Sequence, residues 1–174
     1  MIRLLTAAWG IIGILLLLLW AVFRLFGRFL EATAFSWDWP HWAFLILWVP
    51  YMVYAEGYRG FHRAFAPRAV VRSRYFHGSV PPLHRILAPL VCMGFLHATP
   101  RRRAISIGVT LGIVALVLLV GLLPQPWRGL IDLGVVVGLV FGMTSILRLQ
   151  WMNLRGRTPR IDPDFPTPPI SALR

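Results

Sequence analysis

Apolar residues in this chain are collected into long runs rather than alternating with polar ones. Residues 4–23 contain no charge, and 104–123 and 129–149 contain one acidic residue between them. A helix of about twenty residues rises about 30 Å, which matches the hydrocarbon thickness of a bilayer. The first run is too long for the apolar part of a secretory signal, and two arginines precede the small residues 32–34 that resemble a cleavage site. The pattern therefore predicts three membrane-spanning helices.

A fourth run, 39–58, is interrupted by Pro50. Proline removes one backbone donor and kinks a helix, a defect that neighbouring helices in a membrane bundle can repair. We therefore expect a fourth span that is kinked near Pro50. The segment 83–98 is different, because its apolar stretch is only about a dozen residues long and is broken by a proline and a glycine. We expect it to lie in the membrane interface or to re-enter without crossing.

Residues 124–128 connect the last two spans and are too few for anything but a tight hairpin. Both of these helices carry small residues at four-residue spacing, which lets helix backbones approach closely in lipid. We expect the two stripes to pack the hairpin against itself; the alternative is that one of them faces another subunit. The stripes consist of Ala104, Gly108 and Gly112 in the 104–123 span and of Gly134, Gly138 and Gly142 in the 129–149 span.

All eighteen basic residues are arginine, and their distribution predicts an orientation. With the N-terminus in the cytoplasm, fifteen of them lie on the inner side and only Arg24, Arg28 and Arg128 on the outer side. Cytoplasmic loops of membrane proteins carry such an excess of positive charge. With 57% hydrophobic residues and a mean hydropathy of +0.68, the chain lacks the polar surface of a soluble domain. We expect an all-α integral protein of the bacterial inner membrane, a four-helix bundle with both termini in the cytoplasm.

The chain divides into a membrane domain, 1–154, and a tail, 155–174, that is rich in proline and poor in large apolar residues. Such a composition does not form a core, so we expect the tail to be extended and flexible. Its residues 162–169 are candidates for becoming ordered against a partner subunit.

Nine arginines lie between residues 59 and 103, which is far more than orientation requires. If the second span continues as a helix to about residue 66, Glu56, Arg59 and Arg63 share one face, at i, i+3 and i+7. Guanidinium groups bind oxyanions bidentately, so this loop is a candidate site for anionic lipid headgroups or another anion. Loose anchoring to anionic lipid is the simpler alternative. The candidate anion-binding residues are Arg59, Arg63, Arg85, Arg101, Arg102 and Arg103, and Glu56 and His62 form a candidate polar site.

Other chemistry finds little support in the sequence. Asp132 is the carboxylate deepest in a predicted span, and we expect Arg128, one turn earlier, to pair with it; a proton or ion role is the alternative. On one straight helix His84 and His97 would lie on nearly opposite faces, so we expect no haem, metal or other cofactor. Cys92 sits among apolar residues, and no nucleophile motif or glycine-rich phosphate loop occurs. We expect no catalytic residue. We also expect no nucleic-acid binding, because the arginines follow the membrane boundary.

These features favour a non-enzymatic accessory, assembly or scaffold subunit of a larger membrane complex. Its expected partners are other membrane protein subunits and membrane lipids, contacted through the arginine-rich loop and the tail. The alternative is an enzyme or carrier that handles an anionic lipid at the cytoplasmic interface, using Glu56, His62, Arg59 and Arg63. A small haem-containing electron carrier is a third hypothesis.

Overall fold

The computed structural model describes residues 2–78 and 80–166, and every regular element within them is helical. A π-helical segment follows α2 directly, and a short 3-10 turn follows α3. We refer to Val53–Phe65 as the π segment. The helices are α1 (Ile2–Ala32), α2 (Trp39–Met52), α3 (Ala66–Ser73), α4 (Pro82–Ile86), α5 (Ala88–Met93), α6 (Pro100–Gly121) and α7 (Trp127–Leu154), and the 3-10 turn is Arg74–His77.

Three helices are long and apolar enough to cross a membrane, and they coincide with three of the predicted runs. They are Leu5–Ala32, Pro100–Gly121 and Trp127–Leu154. The predicted span 39–58 differs, because α2 ends at Met52 and the chain continues as the π segment. Proline does not end this helix, since Pro50 lies inside α2. A fourth crossing therefore stays a prediction.

Helix α7 lies at the centre of the fold, and its glycines are the points of closest approach. A Cβ atom at Gly134 would collide with the Trp48 indole, whose Nε1 donates a hydrogen bond to the Ile131 carbonyl at 3.1 Å. One at Gly138 would lie 2.9 Å from Glu56 Oε2, and one at Gly142 would collide with the Phe61 ring. Residues that come later in α2 and the π segment therefore contact residues that come later in α7. The continuous α2–π segment runs parallel to α7.

Helix α6 stands apart from this packing. Only Ser106 and Val120 are buried along its 22 residues. No atom of the described part of the chain lies within 4 Å of a Cβ atom at Gly108 or Gly112. The predicted packing of the two small-residue stripes against each other is therefore not what the structure shows. The reason is steric, because large side chains of α2 and the π segment already cover the glycines of α7.

The short helices α4 and α5 pack against the first turns of α1. A Cβ atom at Gly10 would lie 2.8 Å from Cys92 Sγ, and one at Gly13 would collide with the Pro89 ring. Trp9 Nε1 donates a hydrogen bond to the Ile86 carbonyl at 3.0 Å. We call this part of the molecule the arginine-rich end. It comprises the start of α1, α3, α5, the first turn of α6 and the last turns of α7, together with most of the buried core.

The first part of the tail folds back across the arginine-rich end instead of extending away from it. Arg157 N donates to the Met152 carbonyl at 2.9 Å, and Thr158 Oγ1 accepts from Arg74 at 3.1 Å. Farther along, Thr99 N donates to the Asp164 carbonyl at 2.9 Å. A proline-rich segment does not form a core of its own, but it can still dock on the helices as an extended strap, here residues 157–166. Residues 167–174, including part of the 162–169 stretch, lie outside the described residues.

At the opposite end, Asp132 pairs with a different arginine from the one expected. Arg28 Nη1, from α1, lies 3.8 Å from Asp132 Oδ2, and both side chains are largely buried. Between described residues, Arg128 makes no ion pair within 4 Å, although it stands one turn before Asp132. The expected partner was therefore wrong. The i, i+4 spacing places Arg128 near the carboxylate, but the close approach of α1 to α7 at Gly129 brings Arg28 nearer.

This pair yields a prediction that separates the two arginines. Arg28→Gln leaves the Asp132 carboxylate buried without its nearest cation and should lower the free energy of unfolding by about 1 to 2 kcal/mol. Arg128→Gln, the matched control, should cost less than half of that. Unfolding in detergent micelles with increasing sodium dodecyl sulfate measures both. Equal losses in the two variants would contradict the assignment of Arg28 as the partner.

Candidate anion-binding site

One arginine at the arginine-rich end is completely buried. The Arg72 side chain, on α3, has 0% exposure, and its guanidinium donates to the Val91 carbonyl at 3.0 Å and to the Asp164 carbonyl at 3.3 Å. Its Nε has no hydrogen-bond partner in the part of the chain that the structure describes. Burial and the nearby Arg102 charge lower the pKa of Arg72 from its usual range, whereas the Asp164 carboxylate opposes that shift. A buried, incompletely paired guanidinium is costly and marks this place as the candidate functional site.

A second guanidinium meets Arg72 over Gly94. This glycine ends α5 with φ +85°, a conformation that favours glycine. A Cβ atom there would lie 3.1 Å from Arg102 Nε and 3.2 Å from an Arg72 terminal nitrogen. Arg102 Nε is also buried without a hydrogen-bond partner. Gly94 therefore provides the space in which two arginines from separate helices come together.

A third arginine and one carboxylate complete the group, which we call the arginine cluster: Arg68, Arg72 and Arg102. Arg68 lies one turn before Arg72, and its Nε is 3.6 Å from Asp164 Oδ2. That is the only ion pair within 4 Å that the described residues form at this end. Three guanidinium groups thus share one neighbouring carboxylate. The cluster has a formal excess of two positive charges.

Aromatic side chains line the edge of the arginine cluster. The Tyr75 ring stacks on the His97 ring with centroids 4.4 Å apart, and the Tyr75 hydroxyl lies 3.2 Å from His84 Nδ1. Phe165 packs on both Tyr75 and His97, and Arg72 lies 5.4 Å from the centre of its ring. Burial, His84 and the Arg72 charge together lower the pKa of His97. The tail is thus held by Phe165 as well as by Asp164.

The two histidines are neighbours, contrary to the expectation that they would lie on opposite faces. Their ring centroids are 5.6 Å apart. The expectation assumed one straight helix, but the chain breaks at Leu87, between α4 and α5, and again at Gly94. In the part of the chain that the structure describes, no group of three or more histidine, cysteine or acidic side chains could hold a metal ion.

Of the arginines proposed from the sequence, only Arg102 joins the cluster. Arg85 instead donates to the Val80 carbonyl at 3.2 Å. Four others have exposed side chains: Arg59, Arg63, Arg101 and Arg103. Arg68 and Arg72 were not among the proposed anion-binding residues. The sequence did contain a signal for them. Arg68 and Arg72 follow Pro67 at four-residue spacing, and Ala69 and Val70 between them predict a buried helix face on which Arg72 also lies.

The candidate polar site on the π segment takes a different form from the one expected. Glu56 Oε2 is buried against Gly138 and has no hydrogen-bond partner, whereas Arg59 is exposed. The expected ladder of Glu56, Arg59 and Arg63 is absent because it assumed α-helical spacing, and the hydrogen bonds of a π helix span one residue more. His62 lies six residues after Glu56, with Nδ1 3.2 Å from Ser145 Oγ and its ring stacked on that of Tyr58.

The arginine-rich end therefore has a geometry that suits an oxyanion ligand. Converging guanidinium groups bind oxyanions bidentately, and an aromatic wall lies beside them. Burial raises the pKa of the Cys92 thiol to about 12, so it stays protonated at neutral pH. Comparison with known proteins adds no family to this description: no protein-family model, no curated protein and no solved structure matches the chain.

Proposed function

We propose that this protein is an accessory, assembly or scaffold subunit of a larger complex in a bacterial inner membrane. It spans the bilayer four times, with the arginine-rich end and both termini in the cytoplasm. The parallel course of α2 and the π segment along α7 supports this topology. In a four-span chain with a cytoplasmic N-terminus, the second and fourth spans both run inward. The excess of arginine at one end supports the orientation.

The observation that carries the proposal is the isolation of α6. An apolar helix gains nothing from helix contact merely by being apolar, because lipid solvates it equally well. A face of small residues is different, since it allows a second helix to approach closely enough for extensive van der Waals contact. In α6 that face is open along Gly108 and Gly112. We assign it to a transmembrane helix of another protein.

Charge at the start of α6 defines the chemistry of that partner further. Arg101 and Arg103 are exposed in the first turn of α6, and Arg101 lies about two turns before Gly108 on the same face of the helix. The π segment, which packs on α7, also carries exposed Arg59 and Arg63. A partner that docks here is expected to carry acidic residues at the cytoplasmic end of its transmembrane helix. Such complementarity sets register and specificity more than affinity.

Purification from native membranes in a mild detergent tests the proposal. The wild-type protein should carry a stoichiometric membrane protein, and a Gly108→Leu, Gly112→Leu double variant should lose it while remaining folded. Gly27→Leu is the matched control, because Gly27 on α1 is equally open and lies outside the proposed face. A wild-type protein that is monodisperse without any partner contradicts the proposal. So does a complex that contains only further copies of this chain.

A second function is favoured by one specific observation, the unpartnered carboxyl of Glu56. An enzyme or carrier for an anionic lipid could use Glu56 and His62, which lie on the same segment, to exchange a proton beside a headgroup held by Arg59 and Arg63. Against it, both arginines are exposed rather than directed at Glu56. An Arg59→Gln, Arg63→Gln variant that keeps lipid binding and turnover unchanged would eliminate this function.

A further inference from the structure

The arginine cluster is built as a binding site that its own chain fills only in part. Arg72 is wholly buried, and among the described residues the Nε atoms of Arg72 and Arg102 have no hydrogen-bond partner. Each Nε–H is therefore a charged donor that is shielded from water and gains no acceptor from that part of the chain. Asp164 offers its carboxylate to Arg68 and its main-chain carbonyl to Arg72. One carboxylate against three guanidinium groups leaves two positive charges and two donors unsatisfied.

We propose that Arg68, Arg72 and Arg102 bind a phosphate group, and that the Asp164–Phe165 strap competes with that group for the site. A phosphate monoester near neutral pH carries a charge between −1.5 and −2, so it would neutralise more of the three positive charges of the cluster than the Asp164 carboxylate that it displaces. Its several acceptor oxygens can meet guanidinium donors that approach from two helices, α3 and α6. A carboxylate ligand, with a single negative charge, would offer no gain in charge over Asp164.

The strap has the features of a tethered competitor rather than of a permanent part of the core. Asp164 adopts φ +54°, an unusual conformation for a residue other than glycine, and its N–H is held by its neighbour Asp162. Phe165 packs on the aromatic wall, next to Arg72. The carboxylate stands 3.6 Å from Arg68, a longer separation than that of a charge-assisted hydrogen bond. An incoming phosphate would replace this weak pair with stronger ones.

The phosphate could belong to a free anion or to a lipid headgroup, and the chemistry of recognition is the same. The site lies at the end of the molecule that we place at the cytoplasmic membrane surface, within reach of both sources. Titration calorimetry with inorganic phosphate tests the free anion. Native mass spectrometry of protein taken from phosphatidylcholine vesicles doped with phosphatidic acid tests the headgroup. Both experiments use the full chain.

Neighbouring arginines provide the matched control. Arg102→Gln should weaken binding of whichever probe binds by about tenfold to a hundredfold, as expected for one lost charge-assisted hydrogen bond. Arg101→Gln removes the same charge one residue away, from an exposed position, and should change binding less than twofold. Arg102→Lys keeps the charge but not the Nε donor and should fall between them. Circular dichroism establishes that the variants are folded.

Asp164→Asn tests the competition. Removing the carboxylate should strengthen phosphate binding severalfold, because the ligand no longer displaces an anion. The proposal is overturned if neither probe binds the wild type, if Arg101→Gln loses as much binding as Arg102→Gln, or if Asp164→Asn binds more weakly. It does not depend on the role of α6. The Gly108→Leu, Gly112→Leu variant should bind the probe normally, so that failure of one proposal is distinguishable from failure of the other.

Discussion

A single added methyl group at Gly129 should destabilise the protein by about 3 kcal/mol, at the upper end of the usual cost of overpacking. A Cβ atom there would collide with Ala32 Cβ and lie 2.8 Å from the Arg28 carbonyl oxygen. Neither neighbour is the mobile end of a long side chain. Gly129→Ala must therefore push α1 away from α7, which also separates Arg28 from Asp132. We expect a large loss of folded protein.

The loop before α7 makes this contact harder to relax. Gln125 donates through Nε2 to the Arg28 carbonyl at 3.2 Å and accepts from Gly129 N at 3.1 Å through Oε1. A shift of α1 that accommodates the new methyl group would break the first of these bonds. Unfolding of the purified protein by sodium dodecyl sulfate, followed by circular dichroism, measures the loss.

Two open glycines provide controls for the effect of the methyl group itself. Gly27 on α1 and Gly112 on α6 have nothing within 4 Å of a Cβ atom. Alanine has the higher helix propensity, so Gly27→Ala and Gly112→Ala should leave stability unchanged or raise it. A Gly129→Ala variant as stable as these two would show that α1 and α7 do not approach as closely as described.

The sequence predicted the elements of this fold well and their contacts poorly, for a physical reason. Span length follows from bilayer thickness, so runs such as 104–123 could be recognised without knowledge of their neighbours. Helix contacts in lipid depend instead on shape, and several partners compete for each small-residue face. The stripe on α7 is covered by Trp48, Glu56 and Phe61. Nothing in the sequence around these large residues indicates which helix they contact. The stripe on α6 consequently has no partner among residues 2–78 and 80–166.

The candidate site shows the same limit. Excess arginine between residues 59 and 103 drew attention to that loop as a candidate anion-binding region, and anion binding itself stays a prediction. Choosing residues within it required knowing where the helix breaks. Gly94 turns the chain so that Arg102 meets Arg72, and the breaks around α5 bring His84 beside His97. Docking of the tail could not be predicted either. The side chains that Asp164 and Phe165 contact come together only because the chain turns at Gly94.

Arg72→Ala should have the largest effect of the substitutions considered, a loss of about 3 to 5 kcal/mol. Arg72 is the side chain that joins α3 to α5 and to the tail, through the carbonyls of Val91 and Asp164. Alanine would remove both charge-assisted hydrogen bonds and the contact with the Phe165 ring. It would also leave a cavity where a side chain of 0% exposure had been.

Arg72→Met removes the charge of the side chain but keeps most of its volume, so comparison with Arg72→Ala isolates the contribution of the volume to stability. Methionine restores most of the lost contact surface but neither hydrogen bond, and it removes a cation from a cluster in which positive charges repel one another. Arg72→Ala removes the same cation, so relief of that repulsion is common to both variants, and Arg72→Met should be clearly more stable than Arg72→Ala because it fills the cavity. Both variants should lose phosphate binding. Unfolding free energies in detergent, measured for both variants without phosphate, provide the comparison. If Arg72→Met were as unstable as Arg72→Ala, the cavity would contribute little, and the loss of the two hydrogen bonds to Val91 and Asp164, which both variants share, would account for the destabilisation.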